Sequence, residues 1–189
     1  MTYKIIIPAR FGSSRLPGKP LSIIGDKPMI QHVWNRASES GADRIIVATD
    51  DPRIQQVCKY FGAECLLTQK DHQSGSDRIV EVCKKLDFND NDIIVNLQGD
   101  EPFMSPVLID ELVANKKKFS SVGVATMCKI IEDISIFANP SVVKVEFHDN
   151  GIAKFFRRIH EPIQSDSGVL GYKHLGIYAY SVGILKQFI

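Results

Sequence analysis

No apolar run in this sequence approaches the ~20 residues that span a bilayer. The amino end has one Lys and a five-residue apolar stretch before Arg10, too short for a secretion signal. Cysteine is scarce: Cys58, Cys65, Cys83 and Cys128 are the only four, with no Cys-x-x-Cys pair. That spacing excludes a zinc knuckle and a disulfide scaffold, and leaves reduced core cysteines of a cytoplasmic protein as the expectation. An excess of either charge is missing as well. Lys+Arg number 23 and Asp+Glu 22, a net charge of +1, which argues against broad binding to nucleic acid or an anionic membrane. Repeats, low-complexity tracts and linkers are also absent. What is present is an ordinary globular mixture, 44% hydrophobic and 24% charged over 189 residues, read as one domain over residues 1–189.

Strand and helix signals alternate along the chain. Lys4 to Ile7 is an apolar run closed by Pro8, and a run without polar alternation predicts a strand covered on both faces. Asp26 is placed to cap a helix with Pro28 in its first turn, carrying Met29, Ile30, Val33, Trp34 and Ala37 on one stripe, with Gly41 as its stop. Arg44 to Thr49 is a second strand, and Asp51-Pro52 opens a helix ending at Gly62. Glu64 to Thr68 is a short strand, and Ser76 or Asp77 starts a helix through Leu86. Ile93 to Leu97 is another strand, followed by a helix from Ser105-Pro106. In the last third, Val142 to Phe147 and Ile152 to Phe156 flank Asp149-Asn150-Gly151 as a β-hairpin, and Leu175 to Tyr180 is a further strand. The pattern predicts an α/β fold: a mostly parallel sheet with helices on both sides and antiparallel additions in the last third.

Ligands of open α/β sheets bind beyond the carboxyl ends of the strands, and three such ends are chemically loaded. Residues 10–20 carry Arg10, Arg15 and Lys19 with no acid, beside Gly12, Gly18, Ser13 and Ser14. Cations with exposed backbone N–H groups suit a polyphosphate, because each bond to it is charge-assisted; the competing reading is a solvated basic loop. The loop is no P-loop, since Gly12 and Gly18 stand one position too far apart and Pro20 replaces the hydroxyl that holds magnesium. No Gly-x-Gly-x-x-Gly follows a strand either. The segment Gln98-Gly99-Asp100-Glu101-Pro102 puts two acids at another strand end. Carboxylates facing a triphosphate repel it unless a divalent cation lies between them, so Asp100 is the candidate magnesium ligand, with Gly99 giving substrate close approach; a turn cap is the alternative. The third end, Thr49-Asp50-Asp51, is the weakest of the three: Asp51 before Pro52 has the pattern of an N-cap, with substrate contact as the alternative. Gly75 with Ser74 and Ser76 suits contact with a base or ribose, and Arg78, one turn in, is placed to reach either phosphate or carboxylate, while Ser76 or Asp77 suits capping. His174 and Tyr178, four apart on a strand, share one face, either as a packed pair or as a substrate surface.

Residues 7–21, 45–50, 71–78, 95–102 and 174–180 together resemble the 3-deoxy-manno-octulosonate cytidylyltransferases (CMP-Kdo synthetases), within the sugar nucleotidyltransferases. The resemblance runs from residue 4 to the end of the chain. It implies a Rossmann-like nucleotide-diphospho-sugar transferase fold and transfer of CMP from CTP to Kdo, releasing pyrophosphate, in lipopolysaccharide assembly. It implies Mg2+ as cofactor and a cytoplasmic homodimer. By the same resemblance, Arg10, Arg15 and Lys19 hold the triphosphate, Ser74, Gly75 and Arg78 line the nucleotide site, Asp100 carries magnesium, and Gln98, His174 and Tyr178 face Kdo. Arg15, Lys19 and Asp100 form the catalytic set. Two departures stand out. The family usually continues Ser-Arg-x-x-Ile-Pro after the segment matching Phe155-Phe156, whereas Arg157-Arg158-Ile159-His160 follows here. Family members also continue past the position of Ile189, so the expectation is a chain lacking a C-terminal segment.

Overall fold

The computed structural model describes residues 2–12, 16–159 and 168–188. Its contacts divide the chain into two compact units, residues 1–125 with 177–189 and residues 126–176, where the sequence reading treats residues 1–189 as one domain.

The first unit begins with β1 (Lys4–Ala9), in which Ile5, Ile6 and Ile7 are all fully buried, as a run without polar alternation requires. A tight turn at Lys19–Leu21 leads to a small hairpin of β2 (Ile23–Ile24) and β3 (Lys27–Pro28). Then follow α1 (Met29–Ser38), β4 (Arg44–Thr49), α2 (Pro52–Tyr60), β5 (Glu64–Leu67), α3 (Gly75–Lys85), β6 (Ile93–Leu97) and α4 (Pro106–Lys118). Strands β4, β1 and β6 are parallel neighbours, and β5 adds to β4. The order is thus β5-β4-β1-β6. The chain steps outward from β1 through β4 to β5 and then returns across the sheet to β6. Right-handed crossovers put α1 and α3 on opposite faces. The reversal makes the gap between the ends of β1 and β6 the topological switch point, where such folds take ligands.

Strand parity decides which side chains reach that gap. Ile6, Ile46, Ala48, Ile94 and Tyr180 join Ile79, Val80, Val82 and Cys83 of α3 in one buried cluster. Successive side chains alternate between faces, so the same face continues at the strand ends through Pro8, Asp50, Asn96 and Gln98. Pro8 extends β1 beyond the expected stop at Ile7. The β1–β6 pairing ends at Ile6↔Asn96, so Pro8 owes β6 no ladder N–H.

Several caps differ from expectation. Asp26 caps no helix: it sits in the β2–β3 turn, where Gly25 takes the left-handed conformation (φ 63°), and Pro28 is the N-cap of α1. Gly41 does not supply the stop of α1, which ends at Ser38; its N–H instead donates to Asp110 Oδ1 at 3.0 Å, on the oxygen that also accepts the Tyr3 hydroxyl at 2.6 Å. Helix α3 begins at Gly75, because Ser74 rather than Ser76 or Asp77 is its N-cap. Asp51 caps α2 as expected, accepting from Arg53 N at 2.8 Å. Cys58 and Cys83 are core residues, but Cys65 is half-buried and Cys128 exposed, so the expectation of four core cysteines fails at Cys128.

Strands β7 (Val124–Ile131) and β10 (Gly171–Ser181) each run through both units, and α6 (Val182–Leu185) closes the first. In the first unit, Ile177 to Ser181 pair antiparallel with Leu97 to Ile93 of β6. The second unit contains α5 (Ile134–Ala138) and the antiparallel pair β8 (Lys144–Phe147) and β9 (Ala153–Arg157). The predicted hairpin forms, but not by a two-residue Asn-Gly turn. Only Gly151 is left-handed (φ 81°); Gly151 N bonds His148 O at 2.7 Å, and His148 N bonds Ile152 O at 2.8 Å. Lys144, the first residue of β8, is buried and donates to the carbonyls of Asn139 and Arg158 at 3.0 and 2.7 Å. No helix among the described residues is long and apolar enough to cross a membrane.

Candidate active site

At the switch point, Lys19 Nζ lies 2.6 Å from Asp100 Oδ2. The residues are 81 apart in sequence, and two backbone features bring them together. The first is the loop after β1, closed by Gly18 N bonding Phe11 O at 2.8 Å. Gly18 makes that closure with φ 72°, its backbone so near the Phe11 ring that an added Cβ would sit 3.0 Å from it, and the chain then turns so that Lys19 points back across β1. The second is the turn after β6, where Glu101 N bonds Gln98 O at 3.1 Å and presents Asp100 half-exposed. The absent side chain of Gly99 serves packing here: a Cβ would come 2.9 Å from the Pro8 carbonyl oxygen. Gly99 therefore seats the β6 turn against the end of β1, and it also lines the larger cleft, where the sequence reading expects close approach of substrate.

Two adjoining clefts open on this junction. One, of about 400 Å³, is lined by Pro8, Arg10, Lys19, Gln98 and Asp100 among others. The other, about 210 Å³, is lined by His72, Ser74, Gly75 and Arg78 among others, with Pro8, Arg10 and Gln98 shared. Gln98 is held by its Nε2 donating to Asn96 Oδ1 at 2.9 Å. Asn96 is 4% exposed, a buried amide that needs such a partner.

The predicted residues fall into place unequally. Arg10, Lys19, Gln98 and Asp100 share the larger cleft, and Ser74, Gly75 and Arg78 share the smaller. Ser74 is also a structural cap: its Oγ accepts from Asp77 N at 3.2 Å while Asp77 Oδ2 accepts from Ser74 N at 2.7 Å. Those hydrogen bonds, the Ser74 hydroxyl's foremost, hold the Asp77 carboxyl below its ordinary range. Arg78 is 3% exposed. Its guanidinium bonds Thr68 Oγ1, the Gln69 carbonyl at 3.2 Å and Asp50 Oδ2 at 3.4 Å. Burial lowers its pKa and nearby Arg10 adds to that, against the raising fields of Asp50 and Glu81. Tyr178, half-buried against the α3 core, pairs across the sheet with Asn96; burial raises its pKa. His174 belongs to the second unit, where Nε2 lies 3.0 Å from Thr126 Oγ1 and the ring packs edge-on to Phe156 at 4.8 Å. Burial lowers its pKa. Ser13, Ser14 and Arg15 lie outside the described residues.

The cytidylyltransferase family model matches residues 4–189. The chain belongs to the cytidylyltransferase family. Within it, the chain is 47% identical to a 3-deoxy-manno-octulosonate cytidylyltransferase of Pseudomonas fluorescens (strain SBW25), over 99% of this chain and 78% of that protein. It is 42% identical to the protein of that name from Marinobacter nauticus (strain ATCC 700491 / DSM 11845 / VT8), over 100% and 78%. Among solved structures, a CMP:2-keto-3-deoxy-manno-octonic acid synthetase complexed with CTP superposes with a TM-score of 0.88 at 43% identity, covering 99% of this chain and 76% of that one. A cytidylyltransferase from Leptospira borgpetersenii serovar Hardjo-bovis (strain JB197), 17% identical, shares the fold at a TM-score of 0.59, over 98% and 62%.

For a cytidylyltransferase cleft the donor set is informative. No group of three or more His, Cys, Asp or Glu side chains stands ready for a metal among the described residues. Among the described residues, Asp100 alone faces the larger cleft as a carboxylate, which fits Mg2+, an ion commonly held by one or two carboxylates with phosphate and water supplying the rest. Two residues outside the predicted site set shape the surroundings. Glu81 accepts from Gln69 N at 2.9 Å, His72 Nε2 at 2.5 Å and Lys85 Nζ at 2.7 Å. Burial pushes its pKa up, but those bonds outweigh it and hold the carboxyl at about 2. Asp50, weighed beside Asp51 as a minor feature, is 13% exposed in its side chain and turned toward Arg78. Its signal was parity, two places after Ala48 on the α3 face.

Proposed function

We propose that this chain transfers the CMP moiety of CTP to 3-deoxy-manno-octulosonate, forming CMP-Kdo and releasing pyrophosphate. The observation that carries the reading is the meeting of Lys19 and Asp100 at 2.6 Å across the β1–β6 switch point, in a cleft that Arg10 also lines. The names of the similar proteins supply the substrate pair.

The chemistry asks little of covalent catalysis. An anomeric hydroxyl of one anion must approach the α-phosphorus of another, in line with departing pyrophosphate, so the work is positioning and neutralisation. Arg10 and Lys19 place positive charge in the larger cleft, and Arg15 is assigned with them to the triphosphate. Lys19 and Arg15 offset the charge gathering on pyrophosphate as it leaves. Ser74, Gly75 and the smaller cleft take the nucleoside side, with Arg78 holding the cleft wall. Gln98, fixed by Asn96, stands between the two clefts, and His174 and Tyr178 are assigned to the sugar acid. Asp100 is the residue that would hold Mg2+, whose chemistry is to neutralise and orient phosphate oxygens. A homodimer is the proposed assembly, tested by sedimentation over a range of concentrations.

The deciding experiment measures magnesium-dependent pyrophosphate release from each of four nucleoside triphosphates against a panel of keto-acid sugars. CTP with Kdo should stand well above every other pair. Equal release with a sialic acid, or CTP binding with no release, overturns the proposal.

A further inference from the structure

Asp50 splits its carboxylate between two elements of the site. Oδ1 accepts the Phe11 N–H at 2.9 Å, at the base of the loop after β1, and Oδ2 faces Arg78 Nη2 at 3.4 Å, in the first turn of α3. The pair is sheltered, with side-chain exposures of 13% for Asp50 and 3% for Arg78, so removing one partner leaves the other largely desolvated. Phe11 is gripped a second time from the same strand end. The Arg53 guanidinium stacks on its ring at 3.5 Å. Arg53 is in turn aligned by a forked bond to Asp51, Nε to Oδ1 at 2.9 Å and Nη2 to Oδ2 at 2.7 Å. Against that ring lies Gly18, which closes the loop immediately before Lys19. Neither Asp50 nor Arg53 is among the residues lining the two clefts.

We infer that Asp50, seconded by Arg53, is a positioning residue that locks the triphosphate loop to the nucleoside cleft, acting through Phe11 on one side and Arg78 on the other. The inference rests on the proposed CMP transfer and adds to it the part played by the β4 end. Strand β4 is secured independently by its pairing with β1 and β5, so loss of the carboxylate loosens the loop without unfolding the sheet. Lys19 and Arg10 then lose their fixed spacing across the clefts, and misplacement on the scale of an ångström is costly in rate.

The test compares Asp50→Ala, Asp50→Asn and Arg53→Met with the parent by steady-state kinetics, varying CTP and Kdo separately, alongside thermal melting and calorimetric CTP binding. Asp50→Ala should raise KM for CTP and lower kcat by about tenfold each, with KM for Kdo within about twofold. Asp50→Asn keeps an acceptor for Phe11 N–H and should recover KM for CTP to within about threefold of the parent. Arg53→Met should raise KM for CTP with little effect on kcat. Unchanged kinetics in Asp50→Ala, or equal loss in Ala and Asn variants that tracks the melting temperature, overturns the inference. A parent that turns over no CTP with Kdo overturns the functional reading instead, and the calorimetric arm then judges the lock by itself: weaker CTP binding in Asp50→Ala supports it and unchanged binding overturns it.

Discussion

Replacing Asp100 by Asn separates the two jobs assigned to this carboxylate. The Lys19–Asp100 pair is short, 2.6 Å, but its side chains are 36% and 51% exposed. Ion pairs as open as this contribute about 0–1 kcal/mol, so Asp100→Asn should lower the melting temperature by no more than about 4 °C. Binding should change in a less obvious direction. Without a metal, the Asp100 carboxylate both repels an incoming triphosphate and holds the Lys19 ammonium that should receive it. Two unit charges about 6 Å apart at an effective dielectric of about 40 repel by roughly 1.4 kcal/mol, a tenfold effect. Asp100→Asn should therefore bind CTP about tenfold more tightly than the parent in EDTA, while magnesium-supported turnover falls by about a hundredfold or more. Titration calorimetry with EDTA gives the first quantity and pyrophosphate release the second. Adding Lys19→Met to Asp100→Asn should erase the gain. Metal-free affinity that stays the same or weakens in Asp100→Asn would refute the reasoning.

Gly99→Ala should lower the melting temperature by several degrees and depress turnover, because a Cβ 2.9 Å from the Pro8 carbonyl oxygen forces the β1 and β6 ends apart at a cost of about 1–3 kcal/mol; a melting curve superposable on the parent's would dismiss that contact. Glu81 is held at about 2, below its ordinary 4.5, so its contribution is complete above the ordinary value and is lost as pH falls from there toward 2. The shift converts to at most about 3 kcal/mol, and solvent around half-exposed Lys85 leaves about 1–2. Urea midpoints should show the parent losing more stability than Glu81→Gln between pH 6 and pH 3, and parallel losses would contradict the assignment. Arg15→Ala should cut turnover sharply with an unchanged melting temperature, and parent-level turnover in that variant would remove Arg15 from the catalytic set.

Legibility in the sequence followed physical range. Ile93–Leu97 and Arg44–Thr49 were readable to the residue, because buried parallel strands are continuous apolar runs and need no partner's identity to be recognised. Asp51-Pro52 was readable because a cap followed by Pro is a local signal. Strand β7 and helix α5 were not anticipated, and much of β7 is exposed, so no buried stripe marks it. The packing role of Gly99 was not legible, because sequence cannot say which backbone passes nearby, and here it is that of Pro8. Asp26 and Ser74 show the same limit at caps: each is a good N-cap type, and only the hairpin at Gly25 and the Ser74–Asp77 box decide which helix has one. Of the site, the convergence of the basic loop with Asp100 was legible from their shared place at the carboxyl ends of predicted strands. The internal bonds of Asp50, Arg78 and Glu81 were not, since they depend on α3 crossing behind the sheet.

That crossing explains a division of labour among the three acidic or basic strand ends. All three sit at carboxyl ends of parallel strands, yet only those of β1 and β6 flank the reversal in strand order. Between them the helices diverge to opposite faces and leave a cleft, so Lys19 and Asp100 meet in partial exposure. The end of β4 is not at the reversal. It is roofed by the loop from β1 and by α3, so a charge placed there is buried and must be neutralised by protein, which is what Phe11 N–H and Arg78 do for Asp50. Equivalent acids in sequence thus become unlike groups in space, one facing ligand and one facing structure. The charge balance follows the same geometry. A triphosphate and an acidic sugar bring more negative charge than Arg10, Arg15 and Lys19 offset once Asp100 is counted. Because Arg78 is already committed to Asp50, the proposed reading leaves that shortfall to a divalent cation, which the exposed Asp100 carboxylate would hold.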